Sequence, residues 1–154
     1  MKLAILGSGF ISRFYADSLV AQRRKDTLVS VYSRSEDTAQ KFADDYGVPH
    51  YSTSIKECVS HPEVEAVIIG LSNDMHLPAV LEAAAAGKHV LCTKPLGRNA
   101  AEALQMLQAV EKAGVTGGYL EDLCYTPKFL KSLAAVQNGS IGEVIWTKSR
   151  ETHP

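Results

Sequence analysis

The sequence predicts an α/β fold built on a doubly wound parallel sheet. Strand-type and helix-type patterns alternate along all 154 residues, and parallel strands require helical crossovers of this kind. The strand segments are continuous apolar runs, as expected of a sheet covered on both faces. A first apolar run breaks into Gly7-Ser8-Gly9 and passes at once into an amphipathic segment. No internal repeat or low-complexity linker interrupts the alternation.

The elements follow in order. Lys2–Leu6 reads as a strand. Residues 10–24 read as a helix with Ile11, Phe14, Tyr15 and Leu19 on one face, since these recur at helical spacing. Leu28–Tyr32 is the next strand. Ser35 caps a helix running to about Tyr46, which Gly47 stops. Ser54-x-x-Glu57 is a capping box that opens a short helix. Glu65–Ile69 is a buried-strand run. Leu77, Val80, Leu81, Ala84 and Ala85 line a helix ending at Gly87. His89–Cys92 is a strand. Asn99-x-x-Glu102 opens a helix carrying Ala103, Leu104, Leu107 and Val110, which ends at Gly114. Val115–Leu120 is a weaker, glycine-containing strand. Thr126-Pro127 supplies the N-cap and first position of a helix with Phe129, Leu130, Leu133 and Val136 on one face. Asn138-Gly139 closes it, and residues 143–148 read as a final strand. The sequence stops at Thr152-His153-Pro154, just after a strand that needs a partner. The expectation is therefore a truncated chain or the front part of a longer protein.

Composition narrows the function classes. A hydrophobic content of 45 % suits a soluble globular chain. The net charge of -1 removes the usual reason to expect nucleic acid or an anionic membrane surface as a partner. Arg23-Arg24-Lys25, the one basic cluster, reads as a solvated helix end whose charge suits the helix dipole. Cys58, Cys92 and Cys124 are too widely spaced for a disulfide framework or a metal pair. No metal site is expected, and a reducing cytoplasm is the expected setting. Cys92, within a strand, is expected to be a buried small hydrophobe. The apolar run Leu3–Leu6 is too short for a signal peptide, and no run spans a bilayer.

Gly7-Ser8-Gly9-x-x-Ser12 sits between a strand and a helix, where a dinucleotide-binding turn must sit. Gly7 permits the tight turn. Gly9 lets backbone amides approach a diphosphate, which the helix N-terminus attracts. Ser12 is small enough for close helix–strand packing. The second strand ends in Ser33-Arg34, where an NAD site would place an acidic residue for the ribose. A serine–arginine pair suits a 2′-phosphate, so NADP is favoured and NAD is second choice. Leu71-Ser72-Asn73-Asp74-Met75-His76 follows the strand Glu65–Ile69 at the carboxyl edge of the sheet. Asn73 is a candidate helix N-cap or ligand contact, and His76 reads as a packed or capping histidine more readily than as a base. Lys94 ends the strand that begins at His89 and aims at the same crevice. An amine there can orient or protonate a substrate oxygen during hydride transfer. Pro95 fixes its backbone, a cis bond being one option.

Together these residues resemble a known family. The segments Ala4-Ile5-Leu6-Gly7-Ser8-Gly9-Phe10-Ile11, Ser33-Arg34, Phe42-Ala43, Tyr46-Gly47, Ser72-Asn73-x-x-His76, Ala86-Gly87-Lys88-His89-Val90-Leu91 and Lys94-Pro95-Leu96 are similar to those of the Gfo/Idh/MocA oxidoreductases. The stretch Gly87–Leu96 is the most specific part. The resemblance implies a Rossmann domain for NAD(P) over residues 1–120. It implies the truncated start of a second α/β domain, for substrate and dimerisation, over residues 121–154, with Ser140–Val144 resembling the point where that domain begins. It further implies reversible oxidation of a secondary alcohol of a sugar, cyclitol or related polyol, and a homo-oligomer when full length. Gly7, Ser8, Gly9, Phe10, Ile11, Ser33, Arg34, Leu71, Ser72, Asn73, His76, Thr93, Lys94 and Pro95 are the residues expected at the cofactor, with Lys94 the catalytic one. The family's Glu-Lys-Pro maps onto Thr93-Lys94-Pro95, so Thr93 replaces a glutamate that helps hold the cofactor's ribose. Residues 122–127 also lack an arginine frequent in relatives. The family's remaining catalytic Asp and His lie beyond residue 154, so the chain alone is not expected to turn over substrate. A non-catalytic NAD(P)-sensing regulator is the alternative reading.

Overall fold

A computed structural model describes residues 1–21, 25–150 and 152 of the chain. Contacts divide the chain after Leu120 into two units. The first contains β1 (Lys2–Leu6), α1 (Phe10–Ala21), β2 (Thr27–Tyr32), α2 (Glu36–Tyr46), β3 (His50–Ser52), α3 (Ile55–Ser60), β4 (Ala66–Ile69), α4 (Asn73–Ala85), β5 (His89–Thr93), α5 (Ala100–Ala113) and β6 (Gly117–Leu120). The six strands form one sheet in the order β3-β2-β1-β4-β5-β6, and every adjacent pair is parallel. The predicted doubly wound α/β fold is therefore the observed one.

Alternation along the central strands builds two cores. Leu3 and Ile5 of β1, with Ala66 and Ile68 of β4, pack on one face with Ala16 and Leu19 of α1 and Phe42 and Ala43 of α2. Ala4 and Leu6, with Val67 and Ile69, point to the other face among residues of α3, α4 and α5. Because both faces are covered, every position from Leu3 to Leu6 and from Ala66 to Ile69 is apolar, which is why these strands read as unbroken apolar runs.

The helix ends follow their sequence signals. Gly47 and Gly114 hold left-handed conformations that terminate α2 and α5. The Asn99 side chain accepts the Glu102 N–H at 3.0 Å. The capping box at α3 is relayed. Ser54 Oγ accepts the Glu57 N–H, but the Glu57 carboxylate accepts from Ser52 Oγ, which in turn accepts the Ser54 N–H.

Several expectations are corrected. The apolar faces are rotated. Helix α1 buries Ser12, Ala16 and Leu19 and leaves Phe14 exposed, while α5 buries Glu102, Met106 and Val110 and leaves Leu104 and Leu107 exposed. Leu81 and Ala85 of α4 are exposed as well. In α1 and α4 small residues such as Ser12, Ala16, Ala79 and Ala83 are among those buried, because they allow close approach. Strand β3 was not predicted. Its three residues are too few to show a period, and its exposed His50 and Tyr51 belong to a sheet edge. The Arg23-Arg24 part of the basic cluster lies outside the described residues.

The second unit holds a one-turn 3-10 helix at Leu123–Tyr125 and α6 (Pro127–Gln137), capped by Thr126 with Pro127 in the first turn. None of the helix is buried, so Phe129, Leu130, Leu133 and Val136 form an exposed stripe. The strand expected over residues 143–148 is not formed. A strand exists by pairing, and these residues have no partner strand among those described. Ile145 and Trp146 are accordingly exposed.

Among the described residues no helix is long and apolar enough to cross a membrane. All three cysteines are free, with Cys58 and Cys92 buried, as expected of Cys92, and Cys124 exposed. Burial disfavours the thiolate and pushes Cys58 up to about 11 and Cys92 up to about 12. A chromogenic disulfide reagent at neutral pH should therefore titrate Cys124 alone in the native chain and all three thiols after denaturation. Rapid native reaction of a second thiol would contradict this packing.

Candidate functional site

Parallel pairing brings the carboxyl ends of β1, β2, β4 and β5 to one edge of the sheet. The chain crosses from β1 outward to β2 and β3, then returns to β4 on the other side of β1. Loops leaving β1 and β4 thus run apart, and a crevice opens where ligands of such sheets sit. The crevice holds a cleft of ≈ 560 Å³, lined by Gly7, Ser8, Gly9, Tyr32, Ser33, Arg34, Ser35, Thr38, Gly70, Leu71, Ser72 and Met75.

Its floor is the β1–α1 turn. Gly7 has a φ of 108° and donates its N–H to Tyr32 O at 2.9 Å. A Cβ there would stand 2.5 Å from Gly70 O. Gly70 is equally confined, since its own Cβ would stand 2.4 Å from Ser12 Oγ. Ser12 is fully buried and donates to Gly70 O at 3.3 Å. This is the close packing expected of a small residue at that position. Gly9 differs, because a Cβ there would meet nothing within 4 Å. The open volume over Gly9 and the N-terminus of the twelve-residue α1 form a cradle suited to a diphosphate.

The wall at the end of β2 is built from hydroxyls. Ser33 is buried, and its Oγ lies 2.8 Å from Ser8 Oγ and 2.6 Å from Thr38 Oγ1. Thr38 Oγ1 also lies 2.8 Å from Ser35 Oγ and donates to Ser35 O at 3.0 Å. No carboxylate intervenes. Arg34 is exposed, and among the described residues it forms no ion pair with the neighbouring Glu36 or Asp37.

The opposite wall comes from the β4–α4 turn. Ser72 is the N-cap of α4 and Asn73 its first residue, so the capping role expected for Asn73 falls one residue earlier. Asp74 is held below the ordinary carboxylate range, first by a hydrogen bond from the Ser72 side chain and then by its backbone, with Arg98 and Arg34 adding positive charge. Arg98 itself is paired to the buried Glu102 at 2.5 and 2.9 Å, which anchors the loop after β5.

Of the residues expected at the cofactor, Gly7, Ser8, Gly9, Ser33, Arg34, Leu71 and Ser72 line the cleft. Phe10 stands at the start of α1 with 85 % of its surface exposed, and Ile11 packs against Gly70. Asn73 and Lys94 are exposed, and the Lys94–Pro95 bond is cis. Two more of these residues are buried. Thr93 donates its hydroxyl to Ile69 O at 2.9 Å, tying β5 to β4. His76 is fully buried, with both ring nitrogens against backbone carbonyls. Tyr32, Ser35, Thr38, Gly70 and Met75 were missed. Gly70, directly after the apolar run Ala66–Ile69, carried a readable signal; Thr38 lies on the polar side of α2 and carried none. Away from this edge, His50, His61 and Glu63 lie within 4.8 Å of one another, with Lys2 paired to Glu63.

Comparison with known proteins agrees with this geometry. The profile of the Gfo/Idh/MocA oxidoreductases, NAD-binding Rossmann fold, matches residues 1–119. The 1,5-anhydro-D-fructose reductase of Ensifer adhaerens is 35 % identical over 94 % of this chain and 43 % of its own length. The trans-1,2-dihydrobenzene-1,2-diol dehydrogenase of Oryctolagus cuniculus is 35 % identical over 91 % of this chain and 43 % of its own. An NAD binding oxidoreductase from Klebsiella pneumoniae superposes with a TM-score of 0.81 at 30 % identity, over 93 % of this chain and 40 % of that one. The chain thus spans less than half the length of the relatives it matches. With its glycine turn, strand order and cleft in place, it belongs to the Gfo/Idh/MocA oxidoreductase family and carries that family's NAD-binding Rossmann fold.

Proposed function

We propose that this chain is the cofactor-binding part of an NADP-preferring oxidoreductase that interconverts a secondary alcohol of a sugar, cyclitol or related polyol with its ketone. The observation that carries the reading is the cleft at the carboxyl edge, open over Gly9 and walled by hydroxyls and Arg34 at the end of β2. When bound, the cofactor supplies the nicotinamide carbon that takes or gives the hydride. Gly7, Ser8 and Gly9 hold its diphosphate against backbone amides. Ser33 and Arg34 hold the 2′-phosphate, the arginine by paired charge-assisted hydrogen bonds. Lys94, just beyond β5, holds a proton at the substrate oxygen and neutralises charge developing there.

The activities for which the two relatives are named, a sugar reductase and a cyclic diol dehydrogenase, support a polyol or sugar substrate and favour catalysis over a purely sensing role. Residues 121–154 begin a second domain in this reading, which the contact boundary after Leu120 and the short coverage of the relatives support. Three free cysteines fit a reducing cytoplasm.

The test is calorimetric titration with NADPH and NADH, beside an Arg34→Asp variant. NADPH should bind more tightly by about tenfold, and the variant should reverse the order, because a carboxylate accepts from ribose hydroxyls and repels a phosphate. Tighter NADH binding overturns the NADP preference. Binding of neither cofactor overturns the site.

A further inference from the structure

We propose that His76 is a positioning residue that clamps the two loops flanking the nicotinamide end of the cleft, and so sets where Lys94 stands. The inference rests on the cofactor reading above and deepens it.

His76 is fully buried in the first turn of α4, yet it is neither a core hydrophobe nor exposed to a ligand. Its Nδ1 lies 2.7 Å from Pro95 O and its Nε2 lies 3.1 Å from Leu71 O. Both partners are carbonyl oxygens, which only accept, and a neutral imidazole carries one N–H, so the ring donates to one of them; the shorter contact, Nδ1 to Pro95 O, marks that one. Leu71 follows β4, and Pro95 follows β5. Neither residue lies in a strand, so the sheet ladder, whose last β4–β5 pair is Ile69 with Cys92, does not fix them. Thr93 Oγ1 to Ile69 O is one tie between these ends, and it lies before the turns. Beyond it, among the described residues, the Nδ1 hydrogen bond to Pro95 O ties the first turn of α4, which follows the Leu71 turn, to the loop after β5. Pro95 is bonded directly to Lys94, whose side chain is exposed and forms no ion pair among the described residues. The backbone that carries the amine is therefore held from below while the amine stays free to meet a substrate. Loss of the ring removes the hydrogen bond that holds Pro95 O, so the loop should move rather than stay in place.

The two ring nitrogens can be tested separately. An asparagine amide reaches the Nδ1 position and faces Pro95; a glutamine amide reaches the Nε2 position and faces Leu71. We compare wild-type chain, His76→Asn, His76→Gln and His76→Leu, measuring affinity for NADPH and for 2′-phospho-ADP-ribose, which lacks the nicotinamide. Bound NADPH fluorescence reports the nicotinamide environment, and thermal melting reports folding.

His76→Leu and His76→Gln should weaken NADPH by about tenfold and change its bound fluorescence, while the fragment binds as to wild type. His76→Asn should restore both NADPH readouts. If His76→Leu does not fold, the asparagine and glutamine variants still decide. Equal weakening of both ligands, or no change in either, overturns the clamp. So does rescue by glutamine in place of asparagine, which would put the important contact at Leu71. Wild-type chain that binds the fragment but shows no gain from the nicotinamide overturns the clamp and leaves the adenosine half of the site standing. Wild-type chain that binds neither ligand overturns the cofactor reading and the clamp with it.

Discussion

A Gly7→Ala chain should lose stability by on the order of 3 kcal/mol, enough to lower its melting temperature by roughly 10 °C for a chain of this size. Two independent effects add. The φ of 108° lies where a Cβ is strained whatever surrounds it. The methyl would also stand 2.5 Å from Gly70 O, a backbone atom at the end of the central strand β4 that no rotamer change can move. Gly70 in turn is pinned by Ser12 below it, so the clash propagates into α1. Thermal melting by circular dichroism checks this. A variant that melts with the wild type would show that the turn is not built as described.

Two residues on, the same substitution should do the opposite. A Gly9→Ala chain should melt at or slightly above the wild-type temperature, because nothing lies within 4 Å of the new methyl and alanine restricts the unfolded chain. Its dinucleotide affinity should fall on the order of a hundredfold, since the methyl occupies the space a diphosphate needs and removes backbone approach. Calorimetry on the folded variant measures it. Unchanged affinity would mean that the diphosphate does not cross this turn. The contrast is informative because the glycines share a turn: one is required by the fold and the other by the ligand.

The parts of the site visible in the sequence are those governed by local backbone rules. Gly7, Gly9 and Ser12 announce themselves by spacing within a strand–turn–helix context, and Ser33-Arg34 by its place at a strand end. The helix ends at Gly47 and Gly114 were legible for the same reason, because a left-handed residue is a local requirement. What escaped depends on tertiary packing. Thr38 joins the cleft only because α2 returns its first turn against β2. Thr93 was aligned to a cofactor contact, and its hydroxyl bond to Ile69 O in β4 is a tertiary pairing that no local pattern shows. His76 was placed at the correct edge, while its burial depended on where two loops cross. The helical faces were read mainly from the large apolar residues, whereas Ala16, Ala79 and Ala83 are fully buried as well.

The one-sided placement of the cleft has a consequence for handling the protein. The helix-to-strand connections at residues 47–49, 86–88 and 114–116 lie at the amino ends of β3, β5 and β6, at the far edge of the sheet. Each follows a helix already terminated by its own cap, so the chain there carries no role in shaping the crevice. A tag, a fluorophore or an inserted reporter module placed in one of these connections sits a full strand length from the ligand. The molecule thus comes with a back panel on which attachments can be made while the binding side goes on working.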